Sequence, residues 1–468
     1  MVDAAPAHGL KRRATDQTTR QQLSATMQTA PHPLLKPMRR SGSWPVWVAM
    51  LACLISAAAH GAAPAPSAEQ VARGRYLARI ANCAACHTAE GGAPMAGGLA
   101  LRTDVGTVYS TNITPDPETG LGRYSLDDFD RAVRHGVARD GKRLYPAMPY
   151  TSYAKMSRDD VAALYAWMRT DVKPVRQNNQ ATTLRWPYSM RWLLVPWNWL
   201  NLSDDPVRAD AKQSEAWRRG AYLVQAVAHC GACHTPRGML YGERGTDERS
   251  RHFLSGATVE GWSATNLTGD MLTGLGAWSR ADLVEYLHTG RNAHATSFGP
   301  MSTVISTSTQ YMNASDLDAV ATYLKSIPGA RGEKQPFRYD AATLAQLEQG
   351  RFDTPGARQY ATYCMPCHHA SGKGFARVFP PLAGNPTVLD PNPASLTNLL
   401  LDGAVTARVN TAPTDYHMPG YGWTLEDQEL ASLLTFIRGS WGNRAAPVSP
   451  EAVAERRRAL GTRAPNAP

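Results

Sequence analysis

The chain has 468 residues, 43% apolar and 19% charged, a balance that excludes a disordered or fibrous chain and suits about three soluble domains. Its formal charge of +10 is concentrated at the start, where seven Lys or Arg face only Asp3 and Asp16. About +5 is left for the rest, which implies no nucleic-acid partner. Six of the seven cysteines fall in three identically spaced pairs, leaving no thiols for a disulfide framework.

Residues 1–62 read as a polar extension followed by an export signal. An apolar run from Trp44 to Ala59 follows Lys36, Arg39 and Arg40 and gives way to small residues through Ala63, where cleavage is expected. Its length of about sixteen residues is short for a membrane span. Cys53 within it follows Met50-Leu51-Ala52, a poor lipidation context. No later apolar run approaches a span. The expectation is an exported protein on the periplasmic side of the bacterial cytoplasmic membrane, held there peripherally.

The first unit, 67–172, opens at Ser67 with Gln70, a helix start that leads through Gly74-Arg75-Tyr76-Leu77 to Cys83-Ala84-Ala85-Cys86-His87. Ser125 with Asp128 starts a middle helix, and a final helix is expected from Ser157 to Thr170. A Trp-rich linker, 173–210, precedes the second unit, 211–328. There Gly220-Ala221-Tyr222-Leu223 leads to Cys230-Gly231-Ala232-Cys233-His234. Ser279 with Asp282 starts its middle helix, closed by Gly290, and its last helix runs from Asn313 to Ser326. Ser110-Thr111-Asn112-Ile113-Thr114 is answered by Ala264-Thr265-Asn266-Leu267-Thr268, so the first two units are close relatives. After a linker at 329–350, the third unit, 351–443, carries Cys364-Met365-Pro366-Cys367-His368, the distinct interior Phe379-Pro380-Pro381, and a helix expected from Thr424 to Arg438. The tail, 444–468, with Arg456-Arg457-Arg458, reads as solvated or as a short surface helix. Strand patterns are scarce, and the fold class is mainly α, three tandem haem domains joined by linkers.

Haem follows from the pentapeptide. Two thiols three residues apart reach the two vinyl groups on one porphyrin edge, and the adjacent imidazole turns in to bind the iron. A structural zinc site draws two pairs close together in sequence, unlike these, and a redox dithiol has no need of a following His. The covalent haem ligands are thus Cys83, Cys86, Cys230, Cys233, Cys364 and Cys367, with His87, His234 and His368 as axial ligands.

The second axial ligand decides between electron transfer and catalysis. Met156 and Met312 directly precede helix caps, where an apolar residue packs back as a staple, and Met168 lies at core spacing in a helix. Met148, Met301 and Met418 lie on Pro-containing loops shortly before each final helix and are the expected thioether ligands. Seven other histidines, at 135, 229, 252, 288, 294, 369 and 417, are weaker alternatives.

With these motifs, Thr111-Asn112-Ile113-Thr114-Pro115-Asp116, Met190-Arg191-Trp192-Leu193-Leu194, Phe298-Gly299-Pro300-Met301 and Trp441-Gly442-Asn443, the chain resembles the triple-haem cytochrome c subunits of bacterial membrane-associated dehydrogenases acting on alcohols, gluconate, sorbitol or aldehydes. The resemblance spans about Ala68 to Arg458. It implies three c-type haems relaying electrons from a separate dehydrogenase subunit, of pyrroloquinoline quinone, flavin or molybdenum type, to ubiquinone. The chain has no dinucleotide fingerprint of its own and is not expected to be catalytic alone. The rivals are a multi-haem peroxidase or reductase, which needs an open iron, and a free-standing periplasmic shuttle. Between Trp186 and Leu202 the linker gathers four Trp; it reads first as an apolar strap between domains and second as a membrane-surface segment.

Overall fold

The computed structural model describes residues 65–208, 211–412 and 414–461; the export signal and Cys53 lie outside them. In the first unit, α1 (Ala68–Ile80) starts where the Ser67 hydroxyl accepts from the Gln70 amide at 3.1 Å. Helix α2 (Leu126–His135) opens on a reciprocal capping box between Ser125 and Asp128 and stops at Gly136, whose φ of 62° continues no helix. Helix α3 (Arg158–Thr170) is capped by Ser157. The linker adds a short helix, α4 (Leu194–Asn201). The second unit repeats the plan with α5 (Glu215–Tyr222), α6 (Arg280–Thr289, capping box Ser279/Asp282, closed by Gly290), α7 (Gly299–Thr307) and α8 (Ala314–Ser326). The third opens on a short helical stretch, Ala357–Gln359 continued by a π-helical turn at Tyr360–Cys364. After it come α9 (Ala394–Asp402) and the unit's last helix, α10 (Asp427–Gly439), which the opening stretch crosses; α11 (Pro450–Leu460) follows in the tail.

The strands described are two to four residues long. They form a three-stranded sheet of β1 (Ala100–Thr103), β2 (Gly106–Tyr109) and β3 (Thr183–Leu184), and two hairpins, β4 (Ala257–Val259) with β5 (Trp262–Ala264), and β6 (Gly403–Val405) with β7 (His417–Pro419). The mainly helical expectation holds.

Each unit is built on a crossing of its first and last helices. A Cβ on Gly74 would stand 1.9 Å from the Ala163 carbonyl oxygen, and one on Gly220 would stand 2.0 Å from that of Ala319. Only glycine lets α1 meet α3, and α5 meet α8, at that distance. Beyond the crossing the chain reaches its first cysteine after nine residues in unit one and ten in unit two. The extra residue is absorbed by a π-helical turn, Leu223–Val227, so both helices deliver the haem motif at the same place. Met156 and Met312, the expected staples, are buried beside α3 and α8, and Met168 is in the core.

Four local expectations differ from the structure. Helix α10 begins at Asp427 behind a Glu426/Glu429 capping box rather than at Thr424. Met301 lies in the first turn of α7, because Pro300 occupies an early helical position where its missing N–H costs nothing. Met418 lies on β7, paired with Ala404, rather than in a loop. Of the two readings of the basic tail the short helix is the one seen, as α11, but it is not solvated all round. Arg457 on α11 is buried and donates to the Asp427 carboxylate at 2.8 Å, to the Leu425 carbonyl at 2.9 Å and to the Gly422 carbonyl. Val453 one turn earlier is fully buried, so α11 packs on the third unit.

The strap divides its residues by face. Leu194 and Asn198 are buried, Asn198 accepting from the Tyr150 hydroxyl at 2.8 Å, and the Trp197 indole donates to the Leu240 carbonyl at 2.7 Å. Trp186, Trp192 and Trp199 are 79%, 64% and 80% exposed, so the strap covers the domains while presenting indoles outward. Among the described residues, no helix is long and apolar enough to cross a membrane.

Candidate haem-attachment sites

Each Cys-x-x-Cys-His segment is a helical turn, Cys83–His87, Gly231–His234 and Met365–His368 in its helical part, held at the end of its unit's first helix. This turn brings the two thiols of each pair and the imidazole to one side. All three histidines are oriented alike. His87 Nδ1 bonds the Thr111 carbonyl at 2.7 Å, His234 Nδ1 the Thr265 carbonyl at 2.7 Å, and His368 Nδ1 the Pro380 carbonyl at 2.9 Å. A carbonyl only accepts, so Nδ1 carries the proton and Nε2 is left with its lone pair, the tautomer and aim an iron ligand needs. Burial lowers the pKa of all three rings, which keeps them neutral near pH 7.

The carbonyls are themselves held. Asn112 accepts from the Thr114 amide at 2.9 Å and donates to the Val175 carbonyl at 2.8 Å, and Asn266 accepts from the Thr268 amide at 2.8 Å and donates to Asp270 at 2.8 Å. The repeated Thr-Asn-x-Thr thus fixes the acceptor of each histidine proton. In the third unit Pro380 supplies it instead, which explains the different interior there. The repeat was visible in the sequence; its role was not, because the acting atom is a backbone oxygen.

The six thiols are unpaired. Burial pushes Cys83, Cys230 and Cys364 up to about 12, so these three are protonated thiols near pH 7. Among the described residues no group of three or more His, Cys, Asp and Glu is placed to hold a metal ion. The first motif faces a cavity of about 2940 Å³ that extends to Cys233 of the second motif and is lined on the first unit's side by Cys83, Cys86, His87, Met148, Phe129 and Leu164. Ordinary small-molecule pockets span roughly 300–1,000 Å³. The space, its apolar wall and the donor set fit a porphyrin.

The methionines differ in how far they are gathered. Met148 lines the first cavity with His87, as do the packing residues Met156 and Met168. Met418 packs in the same core cluster as Cys364. Met301 packs with Ile305, Ala407 and Val409, a cluster that contains neither Cys230 nor His234. Several other histidines have different partners: His229 contacts the Ala81 carbonyl, His294 stacks on Trp278, and His369 meets the edge of Phe375.

This is the architecture of a multidomain c-type cytochrome, and the family model for cytochrome c matches three segments, residues 71–171, 218–328 and 354–441. The chain is 44% identical over 84% of its length to the cytochrome c subunit of alcohol dehydrogenase (quinone) of Gluconacetobacter polyoxogenes, covering 85% of that protein. It is 44% identical over 83% of its length to the gluconate 2-dehydrogenase cytochrome c subunit of Pantoea cypripedii (89% of that protein), and 38% over 82% to the fructose dehydrogenase cytochrome subunit of Gluconobacter japonicus (82%). The chain belongs to this family of dehydrogenase cytochrome c subunits.

Proposed function

We propose that the chain is the electron-transfer subunit of a dehydrogenase complex, with three haems bonded through Cys83 and Cys86, Cys230 and Cys233, and Cys364 and Cys367. His87, His234 and His368 hold one face of each iron, and Met148, Met301 and Met418 the other. The haems supply one-electron redox chemistry. The protein would attach them and fixes each imidazole tautomer through a backbone carbonyl, with apolar side chains lining the first site. The observation that carries this reading is that three separate segments present a paired thiol turn and a histidine oriented by the same bond.

Electrons would come from a catalytic subunit carrying pyrroloquinoline quinone, flavin or molybdenum and leave to ubiquinone. Relatives named as alcohol dehydrogenase (quinone), gluconate 2-dehydrogenase and fructose dehydrogenase subunits support an oxidising partner, and the first of these names supports a quinone acceptor. Export to the periplasmic side and peripheral attachment complete the proposal. The outward indoles of Trp186, Trp192 and Trp199, beside the exposed Leu200, suit a bilayer interface. A haem assay on the purified complex, followed by carbon monoxide addition to the reduced protein, tests the ligand set. Three haems per chain and an unshifted spectrum are expected; a carbon monoxide shift would mean an open iron, at Met301 first because of its separate cluster.

A further inference from the structure

The first two units contact each other through a reciprocal arrangement that neither the haem motifs nor the family resemblance assigns. The Tyr76 hydroxyl on α1 donates to Asp316 Oδ2 on α8 of the second unit at 2.7 Å and accepts from the Asn313 amide at 3.2 Å. The Tyr222 hydroxyl on α5 donates to Asp160 Oδ2 on α3 of the first unit at 2.5 Å and accepts from the Ser157 amide at 3.2 Å. Each carboxylate is buried and also receives the arginine of its own unit's first helix. Arg73 donates to Asp160 at 2.6 Å, and Arg219 grips Asp316 with two bonds of 2.8 Å. The two halves exchange equivalent residues, as in an interface between identical subunits.

The sequence code is Arg-Gly-x-Tyr, as Arg73-Gly74-Arg75-Tyr76 and Arg219-Gly220-Ala221-Tyr222, together with Asp at the third helical position of α3 and α8. At the glycine crossing of the third unit the chain reads Pro355-Gly356-Ala357-Arg358, with Glu429 in place of the Asp. Unit three therefore lacks both halves of the clasp.

The clasped helices lead straight into the haem motifs, and the motif loops are tied as well. The Ala81 carbonyl accepts from the Tyr153 hydroxyl at 3.0 Å and meets His229 Nε2 at 3.3 Å, His229 being the residue before Cys230. Asn82, the residue before Cys83, accepts from Thr307 at 2.7 Å, at the end of the helix that carries Met301.

We propose that Tyr76, Asp316, Tyr222 and Asp160 are positioning residues for electron exchange between the first two haems, fixing the separation of their attachment loops. This rests on haems being bonded at Cys83/Cys86 and Cys230/Cys233. The test is the double variant Tyr76→Leu/Tyr222→Leu in the full complex, with Tyr76→Phe alone as a milder version that keeps the ring. Haem per chain, magnetic coupling between the first two oxidised haems, and the rate of electron exchange between them after rapid partial reduction are compared with the parent. Expected are three haems, weakened coupling, several-fold slower exchange for the double variant and a smaller slowing for Tyr76→Phe, with the third haem's potential unmoved. Unchanged coupling and exchange in Tyr76→Phe, and in the double variant if it folds, would overturn the proposal. A parent protein with fewer than three haems would instead sink the reading it rests on.

Discussion

Where the first helix crosses the last, units one and two place arginine, glycine and tyrosine in the spacing Arg-Gly-x-Tyr, and the third places Pro355-Gly356-Ala357-Arg358. The first pair spends its polar residues on each other, through Tyr76 to Asp316 and Tyr222 to Asp160. The third closes on itself, through Arg457 of α11 reaching back to Asp427, and through Arg438, fully buried and donating to the carbonyls of Val388, Asp390 and Ala446. It meets the second unit by a different route. Ser302 of α7 donates to the Val405 carbonyl at 3.2 Å, and Ser263 donates to Asp390 at 3.0 Å. One haem-binding plan has thus been joined in two ways, by exchange of equivalent residues and by a seam of non-equivalent ones, in which the third unit also donates back from Asn385 to the His294 carbonyl and from Ser395 to the Ser263 carbonyl.

The largest effect expected from breaking this arrangement is at the crossings. Gly74→Val or Gly220→Val drives a side chain into a carbonyl oxygen already in contact, and a loss of about 3 kcal/mol, with poor haem incorporation, is expected in a thermal melt and haem assay. Next is Asp316→Ala, which strips the partner from Arg219. Because Arg219 is partly exposed, a loss of about 2 kcal/mol is expected by denaturant titration, against little change for Asp318→Ala, whose ion pair with Arg280 is at the surface.

A pH titration sharpens the same contrast. Burial alone would raise the Asp316 pKa, but hydrogen bonds from Arg219 and Tyr76 outweigh it and hold the carboxyl below its ordinary 3.8. The folded form is the stronger acid, so Asp316 contributes stability above the unfolded-state value that is lost as pH falls through the lower folded value. Asp316→Asn should flatten that part of the acid-unfolding curve, and an unaltered curve would contradict the assignment. Arg457→Ala, which leaves the Leu425 and Gly422 carbonyls unpaired, is expected to cost about 1–3 kcal/mol, sensed by the third haem's spectrum before the others. Smallest for stability is Trp186→Ser with Trp199→Ser, about 0.5 kcal/mol or less, yet membrane retention in a flotation assay should fall.

Much of the local structure was legible. The caps at Ser67, Ser125, Ser157, Ser279 and Asn313 are short-range hydrogen bonds whose partners lie three residues away, so the sequence displays both ends. The staple methionines at 156 and 312 followed from those caps. One failure was local: the loop expected around Met301 is the first turn of α7, since Pro300 suits an early helical position. The others came where distant residues decide. Arg457 looks solvated within a basic run, although Val453 and Leu460 mark the buried face of the same helix. The histidine acceptors and the tyrosine clasps join residues 12 to 240 positions apart, and no local pattern announces them.

The proposed relay requires three porphyrins bonded to the chain. Intact-mass measurement combined with a pyridine haemochrome assay counts them directly. Three haems per chain, with Cys83, Cys86, Cys230, Cys233, Cys364 and Cys367 all blocked to alkylation, is the predicted result. A chain with two haems or fewer, or with any of these thiols freely alkylated, would contradict it.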